Sequence, residues 1–130
     1  MTEMAMAPNK REARIYPVAQ IIEIHDGDTW RLLIDLGMDG TLKRAWIRLK
    51  SVHAEELDKP GGPEARQVAV DVVNTHAPDG WVRLTTFWTP GKLKEIRETM
   101  TFVRYEGIIT THNGIALNEV VAGLIPPGGM

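Results

Sequence analysis

A chain of 130 residues, 43% of them apolar and 25% charged, is sized and composed for one folded domain with its own core. It has no cysteine, which excludes disulfides and thiolate metal centres. A formal net charge of −2 excludes a bulk electrostatic pull towards nucleic acid, so such a partner would have to be met by a local basic patch.

Residues 1–14, MTEMAMAPNKREAR, mix charges and hold no apolar stretch long enough for a secretory signal, so they read as a flexible arm. No run is long enough to span a membrane, and the expected location is the cytoplasm. Val18 to His25 is short and rich in branched residues, the signature of a strand. Asp26 and Asp28 follow, astride Gly27. Acids at that spacing either cap backbone N–H groups in a turn or help to hold a hard cation, and the pair alone does not decide between them. Trp30 to Leu36 reads as a second strand, with Leu32, Ile34 and Leu36 on one face. Asp39-Gly40 is a hairpin signal, because both residues tolerate positive φ. In the third strand, Thr41 to Val52, Ala45, Ile47 and Leu49 alternate with Arg44, Trp46, Arg48 and Lys50.

The loop LDKPGG leads to a helix opening at Pro63, with Glu64 in the first turn, where the helix dipole favours an acid. Ala65, Val68, Ala69, Val72 and Val73 share one helical face, and the helix ends over His76 to Gly80. Trp81 to Trp88 is a fourth strand. The connection TPGKLKEIRETM is long and charged, a length often tied to function. Phe102 to Thr111 is a fifth strand, closed by a turn at His112-Asn113-Gly114. Leu117, Val120, Val121 and Leu124 mark a short last helix, which the tail at 126–130 does not continue. The domain is therefore expected over 15–125. Its order is three strands, a helix, two strands and a helix. The expected class is mainly β with helices (α+β), a five-stranded oligonucleotide-binding (OB) barrel.

Several pieces in this order resemble the staphylococcal nuclease (thermonuclease) family, over roughly Ala19 to Leu124. They are Asp26-Gly27-Asp28-Thr29, Ile47-Arg48-Leu49, Val52-His53-Ala54-Glu55-Glu56, Gly62-Pro63-Glu64-Ala65, Phe102-Val103-Arg104 and Leu117-Asn118-Glu119. The resemblance implies the same barrel and a metal-dependent nuclease acting on DNA or RNA. It implies Asp28 as a metal ligand and Asp26 as a supporting or turn-forming acid. Arg48 and Arg104 become clamps on the scissile phosphate, and Glu56 the general base on the attacking water. A guanidinium suits the clamp because its planar fork matches two phosphate oxygens. Arg97, in the long connection, is the fallback for Arg104. Trp46 shares its strand face with Arg48 and either stacks on a base or packs the barrel end. Lys50 and Lys92 are further candidate phosphate contacts.

The chain departs from the family at four places. His53 stands where the family has a second metal-binding aspartate, and Ala54 stands beside it, where a backbone carbonyl reaches the metal. The resemblance implies calcium, but imidazole suits manganese, zinc or nickel better. Glu55, in the family's proline position, is the alternative source of the lost carboxylate. Val103 replaces a glycine, and a further C-terminal helix of the family is absent. The competing reading is an inactive barrel that binds nucleic acid or a protein. A structural module has no positive feature in its favour.

Overall fold

The computed structural model describes residues 13–87 and 104–125. Five strands, β1 (Ala13–Asp26), β2 (Thr29–Asp35), β3 (Leu42–Leu49), β4 (Val82–Phe87) and β5 (Arg104–Thr111), close a barrel in the order β1-β2-β3-β5-β4. Helix α1 (Gly62–His76) lies between β3 and β4, and α2 (Leu117–Leu124) follows β5. This is the OB-like α+β architecture expected from the order of elements. No helix among the described residues is long and apolar enough to cross a membrane.

The barrel closes because β1 serves two partners. Ala13 to Pro17 pair with β4, whereas Val18 to Asp26 pair with β2. The strand thus starts five residues before the Val18 read from the sequence, and it takes up Ala13 and Arg14 from the expected arm. Pro17, which has no N–H to donate to a ladder, is tolerated where β1 changes from one neighbour to the other. The rest of the arm (1–12), the connection with Trp88, Lys92 and Arg97, and the tail (126–130) lie outside the described residues.

Alternation in β2 and β3 fills the interior. Trp30, Leu32, Ile47 and Leu49 are all within 1% of complete burial, as are Leu84 and Ile109 from the other side. Burying side chains of this size contributes about 1.5–3 kcal/mol each. Leu36 departs from its expected place on the buried face. β2 ends at Asp35, and Leu36 turns outward with the hairpin. The hairpin is wider than Asp39-Gly40 alone, because Gly37, Met38, Asp39 and Gly40 all have positive φ. Helix α1 buries Ala65, Ala69 and Val72, with Val68 and Val73 packed beside the core. Leu117 and Val121 of α2 are buried, but Leu124, expected on the same face, is exposed.

β3 and β5 run parallel and pair only from Trp46/Arg104 to Leu49/Gly107. Beyond that point the chains diverge, and Asn118 of α2 fills the gap. Its Oδ1 accepts the Ile109 N–H at 2.9 Å. Its Nδ2 donates to the Lys50 carbonyl at 2.9 Å and the Gly107 carbonyl at 3.0 Å. One buried amide therefore replaces missing ladder partners and ties α2 to the end of β3.

Candidate active site

The two aspartates act first on the chain that follows β3. Asp28 is buried, and its Oδ2 accepts the Ala54 N–H at 3.4 Å, while Oδ1 accepts the Thr29 hydroxyl at 3.3 Å. Asp26 Oδ1 accepts the Leu57 N–H at 2.8 Å. The turn between them is held from inside, where the indole of Trp30 donates to the Gly27 carbonyl at 3.1 Å. Gly27 permits the close approach. A Cβ there would lie 2.9 Å from the Ala54 Cβ and 3.0 Å from the Ala65 carbonyl oxygen. Asp26 thus ties a segment 31 residues away instead of capping its own turn.

Glu56 lies between the two tied residues. Its carbonyl accepts the Lys59 N–H at 2.9 Å. That carbonyl also fits against Gly62 so tightly that a Cβ on Gly62 would come within 1.9 Å of the oxygen. The Glu56 backbone is therefore fixed by Asp26, Asp28 and the first residue of α1, while the side chain is exposed. It lines a pocket of about 840 Å³ with Asp26, Thr29 and Trp46. Sequence reasoning did not single out Gly27 or Gly62 as supports of the site, nor Glu23, His25 and Asp58 as further lining residues. The packing of a distant helix or loop gives no local signal in the sequence.

Arg48 stands across the β2–β3 ladder from Thr29, on the outer face of the sheet. Its Nη2 lies 3.8 Å from Asp28 Oδ2, with the arginine side chain 41% exposed. An exposed guanidinium beside a buried carboxylate is oriented yet still open to a ligand. Trp46 shares this face and is half-buried on it, so it does not pack the barrel end. Arg31 lies over its ring at 5.4 Å, and His25 packs against it edge-to-face at 5.9 Å. Arg44 is exposed on the same face of β3. The Arg104 backbone pairs beside Trp46, and its side chain lies outside the described residues. Lys50 is exposed just past β3, and its backbone N–H donates to the Gly107 carbonyl.

Among the described residues, no three His, Cys, Asp or Glu side chains converge as a group able to hold a metal ion. His53 is exposed. The Ala54 N–H donates to Asp28. Arg48 supplies the positive charge next to Asp28.

No protein-family model matches the chain, and no curated protein is similar to it.

Proposed function

We propose that the protein is a phosphodiester hydrolase acting on nucleic acid at the outer face of β2 and β3. The observation that carries this reading is the exposed Arg48 guanidinium, oriented 3.8 Å from Asp28 and opposite Thr29, which itself lines the pocket holding Glu56. Arg48 binds the phosphate and the charge that grows on it in the transition state, where stabilisation raises the rate. Glu56 takes a proton from water as the water oxygen bonds to phosphorus. One ester P–O bond breaks, and the leaving alkoxide takes its proton from solvent. Trp46 and Arg31, two strands wide, give a stacking platform with a cation beside it, as single-strand binders use.

A second reading has its own support. The exposed His53, standing where the resemblance has a second metal-binding aspartate, favours a barrel that binds nucleic acid without cutting it. One experiment separates the two. Single-stranded and plasmid DNA and RNA are incubated with the protein in a panel of divalent ions and in chelator, and binding and cleavage are both measured. Cleavage that falls about 100- to 1,000-fold in Arg48→Ala, with the fold intact, supports the hydrolase. Binding that needs Arg48, without cleavage under any condition, supports the second reading. A variant that cuts and binds like the parent removes Arg48 from both.

A further inference from the structure

The pocket beside Arg48 has acids, Glu23, Asp26 and Asp58, that the hydrolase reading does not use. Its wall is Trp46, held in one orientation by Arg31 and His25. Its rim is Glu23, Asp26, Glu56 and Asp58, no lysine or arginine is among its described lining residues, and His25 also lines it, 3.9 Å from Glu23 and 4.0 Å from Asp26. Arg48 and Trp46 are two residues apart on one strand face, roughly 6.7 Å by the ordinary rise of a strand. That is about the reach from a nucleotide's phosphate to its base. Thr29 lines the pocket and stands opposite Arg48 on the ladder, which sets the pocket beside the phosphate position.

We propose that this pocket selects the base of the nucleotide whose phosphate Arg48 holds, admitting bases that present amino groups, guanine first, and rejecting thymine and uracil. The proposal rests on the nucleic-acid reading above. The acids alone would not make a site. The fixed aromatic wall, the volume and the position beside Arg48 make it one. Carboxylates repel a phosphate, so the base end of a nucleotide is the end that turns in among Glu23, Asp26 and Asp58, and Glu56 keeps the role given above. Ionised carboxylates accept hydrogen bonds and cannot donate them. Guanine offers two adjacent donors, N1–H and the 2-amino group, which match the two oxygens of one carboxylate. Cytosine and adenine each offer one amino group. Thymine and uracil would turn two carbonyl oxygens towards the acids, flanking a single N–H.

The test uses the whole chain and a labelled decathymidylate whose central position is dT, dG, dC, dA or deoxyinosine. Affinity is read by anisotropy, with the oligonucleotide recovered intact. The dG oligomer should bind about tenfold more tightly than the all-dT oligomer, within the range that one two-point base contact gives. Deoxyinosine, which lacks the 2-amino group, should fall between them. Glu23 and Asp58 are exposed, so the double variant Glu23→Gln/Asp58→Asn should keep its fold. It should bring dG and dT within twofold, because its amides can donate to thymine carbonyls. Equal affinity for all five oligomers, or a preference unchanged in the double variant, overturns base selection alone. Failure of every oligomer to bind overturns the nucleic-acid reading with it. Capture of hexaarginine in its place, lost in the double variant, would show that the pocket holds a protein's cationic side chain.

Discussion

Asn118 offers the most direct test of how the site is held. In Asn118→Ala, the Ile109 N–H, fully buried, loses its acceptor. The Lys50 carbonyl loses its Asn118 donor, while the Gly107 carbonyl keeps the Lys50 N–H at 2.9 Å. An orphaned buried polar group costs about 1–3 kcal/mol. One fully buried donor and one half-exposed acceptor together give about 2–4 kcal/mol, a large part of a small domain's stability. Asn118→Asp keeps the acceptor for Ile109 but sets a carboxylate oxygen against two carbonyls. Burial and those carbonyls raise the introduced group's folded-state pKa above its unfolded value of about 3.9. The charged form is the destabilising one, so the Asp variant is weakest above the folded pKa. It recovers as pH falls through that pKa, when a new O–H can donate to one carbonyl. Urea unfolding followed by tryptophan fluorescence at pH 7 and pH 4.5 measures both effects, with the parent as reference at each pH. A loss below about 0.5 kcal/mol in the Ala variant, less than one ordinary hydrogen bond, would refute the idea that this amide bridges the strands. So would an Asp variant with no recovery relative to the parent at the lower pH.

Gly62→Ala should destabilise by about 3 kcal/mol, because neither the Glu56 carbonyl nor the start of α1 is a flexible side chain that can give way; thermal unfolding checks this. Asp26→Asn keeps an acceptor for the Leu57 N–H and should be close to the parent, whereas Asp26→Ala should lose about 1 kcal/mol, measured by the same denaturation. The salt dependence of single-strand binding should be shallow. If Arg31, Arg44, Arg48 and Arg104 each neutralise one phosphate at about −0.7 per contact, the log–log slope is roughly −3, and a value beyond about −5 would require basic residues elsewhere.

The barrel was readable where burial leaves a local pattern. Ala45, Ile47 and Leu49 are buried, and they alternate with Arg44, Trp46 and Arg48 as a half-buried strand must. The pattern failed where a residue's place depends on something distant. Leu36 fits the period of β2, yet the strand stops one residue short because the left-handed turn begins at Gly37. Leu124 fits the period of α2 but reaches past the core. Ala13 and Arg14 close a stretch of mixed charge that suggests an arm until β4 supplies a partner. The site shows the same division. Arg48 and Trp46 were readable as neighbours on one strand face. The hydrogen bond from Leu57 to Asp26 and the fit of Gly62 under Glu56 were not, because they join segments that only the closed barrel brings together.

Charge layout shows what the two aspartates hold. The Asp28 oxygens face the Ala54 N–H, the Thr29 hydroxyl and the Arg48 guanidinium, all donors. Asp26 faces the Leu57 N–H in the same way. The pair therefore stitches the segment carrying Glu56 to the start of β2, and Asp28 at the same time orients Arg48. The cations and the remaining acids end up on adjacent ground: Arg31, Arg44 and Arg48 on the sheet, and Glu23, Glu56 and Asp58 around the pocket. A ligand that meets both must carry negative charge at one end and hydrogen-bond donors about one nucleotide's length away. A free phosphate satisfies only the first requirement and a basic peptide only the second. A nucleotide with an amino-bearing base satisfies both, which is why base preference, and not affinity alone, is the measurement that separates these ligands.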